Sequence, residues 1–287
     1  MARKVIITVA QTGAFQGKEA NPALPIQPAE IIQSAYECYN AGASIVHVHV
    51  RDKDGVSTND PKIYSEVGSG IKAKCPLIIQ YSTAPANVAG AVAEDGMKLL
   101  YADDVFLPEM CSLDCSLIAT AWQNRIVLYE WTREFLVRHA KRMLELNIKP
   151  EIELFNPTSI EDVVKYVYPQ GVLKDPVSYS FVMGMDKISQ QSMEFSFDNL
   201  YHCVNKLPKG SLFSIVAISQ NQLPGTVMTM LLGGNARVGF EDNVYFKKGE
   251  LAKNNAQLVE RMAKMVEEFG FEVATPADAK QILGITR

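Results

Sequence analysis

The chain has 287 residues, 47% hydrophobic and 21% charged, an ordinary composition for a soluble globular protein with a sizeable core. A net charge of −4, a pI near 5.7 and the lack of any clear run of Lys and Arg argue against a nucleic-acid surface and for a small substrate. No stretch approaches the ~18 uninterrupted apolar residues of a membrane span.

The first run, Val5–Ala10, follows the N-terminus at once and reads as a buried strand, not as a secretion signal. Further strands are expected at Ser44–Val50, Leu77–Ser82, Asp104–Phe106, Lys149–Leu154, Val177–Val182, Leu212–Ala217 and Ala236–Val238. Helical patterns fall between them at Pro28–Asn40, Pro61–Ala73, Asn87–Leu99, Glu130–Leu146, Ser159–Tyr168, Ser196–Lys206 and Gly225–Leu232, and Asn254–Phe269 closes the series. Most of the strands read as apolar without alternation, the pattern of parallel strands covered on both faces. Eight β-then-α units in about 250 residues match a (β/α)8 TIM barrel, although a doubly wound open sheet has the same local signature. No linker divides the chain, so residues 1–287 read as one barrel domain with a short helical extension entered at Thr275-Pro276-Ala277-Asp278. The five scattered cysteines fit reduced thiols in a cytoplasmic protein.

The strongest chemical signal is Ile45-Val46-His47-Val48-His49-Val50-Arg51-Asp52. Histidines two apart on a strand share one face, with Cβ atoms roughly 6–7 Å apart, so both imidazoles can reach one ion. At the end of a barrel strand they stand on the catalytic rim. Such a site, for zinc, iron or manganese, needs a third ligand, often a carboxylate. The glycine-rich passage Gly233–Asn243 offers Glu241 and Asp242 beside Arg237. Further polar candidates fall at expected strand ends: Ser82 and Thr83 after the third, Glu109 and Ser112 after the fourth, and Glu153 within the fifth. A carboxylate inside the apolar run Ile152-Glu153-Leu154-Phe155 must be paired, protonated or at a site. His139 and His202 fall on helical stretches, where packing or surface roles suffice.

Taken together, Thr12-Gly13-Ala14, Leu24–Glu30, the histidine motif, Gln80-Tyr81-Ser82-Thr83, Pro108-Glu109-Met110, Pro150–Glu153, Phe181–Gly184, Gly234–Asn243 and Asn255–Val259 resemble the β-keto acid cleavage enzymes, in order and over nearly the whole chain. The resemblance implies a zinc barrel, assembled as a homo-oligomer such as a tetramer. Its reaction would combine a β-keto acid with acetyl-CoA as co-substrate and yield acetoacetate and a shortened acyl-CoA. It implies zinc ligation by His47, His49 and Glu241, a base at Asp242 held by Arg237, and hydroxyl donors at Ser82 and Ser112. Thr83, Glu109 and Glu153 are further candidates for substrate contact. The prototype of the family places an amine-pairing glutamate directly after Thr-Gly-Ala, where this chain has Phe15, so Phe15 marks a different substrate. The loop Ser219-Gln220-Asn221-Gln222 and Asn235 also depart from the family pattern.

Two rival readings stand beside this one. A metal-dependent aldolase or hydrolase could act on a keto acid without CoA, and a metal-holding barrel could bind a ligand without turnover. The acid–arginine cluster speaks against the second, since binding alone needs no base.

Overall fold

Eight parallel strands run round a nearly closed barrel: β1 Ile7–Ala10, β2 Ile45–Val48, β3 Ile78–Tyr81, β4 Met110–Trp122, β5 Lys149–Leu154, β6 Ser178–Met183, β7 Leu212–Ala217 and β8 Ala236–Val238. The computed structural model describes residues 2–122 and 125–287. Each strand pairs with its sequence neighbour, and β8 pairs with β1. At the remaining seam the Asn235 N–H donates to the Phe213 carbonyl at 2.7 Å.

The helices are α1 Pro28–Asn40, α2 Pro61–Lys74, α3 Ala93–Gly96, α4 Arg133–Glu145, α5 Pro157–Asp162, α6 Phe197–Lys206, α7 Gln222–Leu231, α8 Asn255–Glu268 and α9 Pro276–Leu283. Their starts carry ordinary capping chemistry. Asp60 accepts from the Lys62 N–H before Pro61 begins α2, and Thr275 accepts from the Asp278 N–H before Pro276 begins α9. Helix α9 covers the N-terminal end of the barrel, where Ala279 and Leu283 pack with Ile6, Ile45, Ile78 and Met110. The opposite end is left for chemistry.

Most strands read from the sequence as apolar without alternation, but several alternate. Val46, Val48, Ile79, Tyr81, Leu113, Ile152, Leu154 and Phe181 belong to the core beneath the helices. Their neighbours Gln80, Glu151, Glu153 and Arg237 bond between strands that are not adjacent, which is possible only through the barrel interior. The lumen is therefore a polar network.

The fourth strand is also a correction. It does not lie at Asp104–Phe106 but runs from Met110 to Trp122, well beyond the barrel rim. There it pairs antiparallel with a return strand, Arg125–Trp131. The expected helix at Glu130 consequently starts only at Arg133, and the one expected over Asn87–Leu99 shrinks to the single turn of α3 followed by a short 3-10 segment.

Candidate metal centre and active site

His47 on β2 and His49 just past its end reach the same carboxylate. The Glu241 Oε1 atom lies 3.5 Å from His47 Nε2 and 3.4 Å from His49 Nε2. One nitrogen from each ring and one Glu241 oxygen lie within 4.8 Å of one another. Two glycines permit this approach. A Cβ on Gly13 would stand 2.8 Å from Glu241 Cγ. Gly239, at φ +137°, would place one 2.1 Å from the Ala10 carbonyl oxygen. Gln222 and Asn255 hold the turn between them, one donating to the Gly239 carbonyl and the other accepting from the Phe240 N–H, both at 2.8 Å.

The donor set fits a divalent ion. Gln80 Oε1 sits 2.7 Å from His47 Nδ1, and Gln80 Nε2 donates to Glu151 Oε1 at 3.2 Å. That chain orients the Gln80 oxygen toward the imidazole, so Nδ1 carries the proton and the Nε2 lone pair faces Glu241. Burial pushes the His47 pKa down to about 3, keeping the ring in the neutral form that ligation requires. Glu241 Oε2 is buried with no hydrogen-bond partner among the described residues. Burial works to raise the Glu241 carboxyl, but His47, His49 and Arg237 together hold it below the usual carboxylate range.

Beside this set Arg237 gathers the acids. Its Nε donates to Asp242 Oδ2 at 2.9 Å, and its Nη2 to Asp242 Oδ1 at 3.0 Å and to Glu241 Oε1 at 2.8 Å. Across the lumen its Nη1 lies 3.7 Å from Glu153. Burial lifts the Asp242 carboxyl above its ordinary range against the pull of Arg237, making it a stronger base than an exposed aspartate. Asp114 and Glu153 share a hydrogen bond. Burial pushes Asp114 up to about 7 and raises Glu153 well above the usual carboxylate value.

These groups open into one cavity of about 270 Å³, lined by His47, His49, Ser82, Asp114, Glu153, Arg237, Glu241 and Asp242 at its polar end. Phe15 lines it as well, among apolar side chains that include Ile118, Tyr129, Trp131, Phe155 and Val244.

Three candidates fall outside the cavity lining. Glu109 is corrected to the opposite end of the barrel. Because β4 starts after it, its carboxylate pairs with Lys72 and, at 3.5 Å, with Lys280 of α9, and accepts from the Ile79 N–H at 3.0 Å. Thr83 and Ser112 bond to one another. The Thr83 N–H donates to Ser112 Oγ at 3.1 Å, and Thr83 Oγ1 donates to the Ser112 carbonyl. The sequence reading missed Asp114. Placed on the true β4 it shares a face with Ser112, and a carboxylate in Leu113-Asp114-Cys115 would have signalled a site. Arg51, given no role from sequence, donates to the carbonyls of Gly13 and Gln16 and fixes the loop that carries Phe15.

Comparison with known proteins shows the family and the fold. The sequence profile of the β-keto acid cleavage enzymes matches residues 4–285. The chain is 37% identical to a 3-keto-5-aminohexanoate cleavage enzyme of Fusobacterium nucleatum, covering 100% of both chains. It is 32% identical to a 3-oxoadipate:acetyl-CoA acetyltransferase of Cupriavidus necator, covering 99% of this chain and 96% of that one. The solved structure of apo ObcA superimposes with a TM-score of 0.78 at 19% identity, over 93% of this chain and 66% of that one, and shares the fold. On the profile match and the full-length identity, this chain belongs to the β-keto acid cleavage enzyme family.

Proposed function

We propose that this protein is a zinc-dependent enzyme that combines a β-keto acid with acetyl-CoA to give acetoacetate and a shortened acyl-CoA. The observation that carries the reading is a single buried turn in which Glu241 meets both histidines while its neighbour Asp242 is clamped by Arg237. A ligand site and a base side by side suit proton abstraction next to a ketone. The names of the two relatives, one cleaving a keto acid and one transferring acetyl from acetyl-CoA, support the same chemistry.

His47, His49 and Glu241 would hold the zinc, which when bound supplies Lewis-acid polarisation of the ketone. Asp242 takes a proton from the methylene between ketone and carboxylate. Arg237 fixes the Asp242 oxygens by two charge-assisted hydrogen bonds and keeps the base aimed. The resulting carbanion attacks the acetyl-CoA carbonyl, forming a C–C bond and releasing CoA thiolate. The thiolate then attacks the original ketone, the C–C bond between it and the new acetoacetyl unit breaks, and the acetoacetate carbanion so released takes the proton back from Asp242. Ser82, in the cavity wall, donates a hydrogen bond to the oxyanion formed.

A homo-oligomer is part of this reading, supported by Leu117, Ile126 and Leu128, which stand 55%, 80% and 58% exposed on the outer face of the hairpin. So is the cytoplasm, supported by five free, buried cysteines. No helix among the described residues is long and apolar enough to cross a membrane. The test is to incubate zinc-loaded protein with acetyl-CoA and a panel of β-keto acids, reading acyl-CoA products by mass spectrometry. Turnover that neither consumes nor requires acetyl-CoA would replace this reading with the aldolase or hydrolase alternative.

A further inference from the structure

Side chains two apart on β4 share a face, so Asp114, Ser116, Ile118 and Thr120 form one row running from the polar end of the cavity out along the hairpin. The return strand adds to that face. Trp131 stands opposite Ser116 and Tyr129 opposite Ile118. By the ordinary rise of a strand, Trp131 lies about 7 Å further out than Asp114.

The Tyr129 and Trp131 rings stack at 5.0 Å with 7° between their planes, and Trp131 stacks on Phe155 at 5.8 Å and 16°. All three rings are buried and line the cavity. The ladder carries one fully buried polar atom that is uncommitted. Trp131 Nε1 is buried without a hydrogen-bond partner among the described residues. A buried indole N–H ordinarily finds an acceptor. The hydroxyl of Ser116, opposite Trp131 on β4, accepts from the Asn156 amide at 3.1 Å.

We propose that the Tyr129–Trp131–Phe155 ladder is the acyl-chain subsite, taking an apolar chain that bears one neutral oxygen, with Trp131 Nε1 donating a hydrogen bond to that oxygen. The inference rests on the β-keto acid reading above and names the substrate class within it. A chain carboxylate is disfavoured, because Arg237, the one Lys or Arg among the described lining residues, is held at the polar end by Asp242 and Glu241, and its remaining Nη1 faces the Glu153 carboxyl at 3.7 Å. An ammonium is disfavoured at this level of the wall, because the indole N–H presents a donor where a cation needs an acceptor.

The test compares 3-oxooctanoate with analogues in which one methylene beyond the ketone is replaced by an ether oxygen. With at least one ether, Trp131→Phe, which keeps the aromatic stack, should lose about tenfold in kcat/KM while 3-oxooctanoate changes less than about twofold. A loss equal for all substrates, or no loss, overturns the subsite. Binding is read separately in a Trp122→Phe background, where Trp131 is the sole tryptophan. Saturable quenching of its emission by the same ether is expected. Quenching without any acyl-CoA product would sink the reaction and keep the subsite. Acyl-CoA formed without quenching would sink the subsite and keep the reaction. Neither signal would remove both.

Discussion

Gln80 Oε1 accepts from His47 Nδ1 at 2.7 Å and is itself oriented by the Gln80 amide bond to Glu151. The bond fixes which imidazole nitrogen is free to ligate. Gln80→Ala should therefore lower zinc affinity by about 10–100-fold, the usual scale for losing an outer partner of a histidine ligand. Competition against a chelator measures it. An unchanged affinity would mean that the His47 ring is held by something other than Gln80.

Glu241 and Asp242 are sequence neighbours with different assignments. Glu241→Gln should strip zinc and turnover together. Asp242→Asn should leave zinc near one per chain while lowering kcat about 100-fold or more, as expected for loss of a general base. Metal analysis beside steady-state kinetics separates the two. Equal metal loss in both variants would contradict the division.

A stability prediction follows from Asp114, whose carboxyl burial raises to about 7. An acid with a raised folded pKa holds its proton longer when folded than when unfolded. Between the unfolded value near 4 and about 7 the folded state binds more protons, so stability falls as pH rises through that window. In metal-free protein, Asp114→Asn should flatten this slope and gain on the order of 2 kcal/mol over wild type at pH 8, with little gain at pH 4. Denaturant midpoints at the two pH values test it. A gain that is the same at both would place the effect in packing.

The metal motif was legible because its information is local. His47 and His49 sit two apart on one strand, and Glu241 and Asp242 share one glycine-bounded turn. The barrel was legible in the β-then-α rhythm for seven of its strands. The fourth strand failed for a physical reason. The apolar run Val105-Phe106-Leu107 looks like a strand by composition, whereas Ser112, Asp114 and Ser116 alternate with apolar residues and break the apolar signal of the real one. That single displacement put Glu109 on the wrong end of the barrel, hid Asp114, and turned the start of the α4 region into helix where the return strand runs. The aromatic ladder was hidden with it, since Tyr129 and Trp131 become neighbours of Phe155 only once the hairpin folds over the mouth.

The last prediction concerns Phe15, which lines the cavity where the resemblance to the prototype implies a glutamate pairing with a substrate amine. An ammonium against a phenyl ring keeps a cation–π attraction of about 0.5–2 kcal/mol. Loss of a buried carboxylate partner leaves an unpaired charge that costs about 3–5 kcal/mol. A net difference of about 3 kcal/mol corresponds to more than a hundredfold in selectivity. Burial raises the Asp114 carboxyl to about 7, so near neutral pH it is only partly ionised and replaces that partner incompletely. The preferred β-keto acid should therefore carry a neutral chain, and kcat/KM for 3-keto-5-aminohexanoate should fall about 100-fold below that of an uncharged analogue of equal length. Phe15→Glu should narrow the gap by improving the amino substrate, if Arg51 still holds the Gly13–Gln16 loop in place. A wild-type preference for the amino compound would show that another acid in the cavity takes the ammonium and that Phe15 does not set the charge of the substrate.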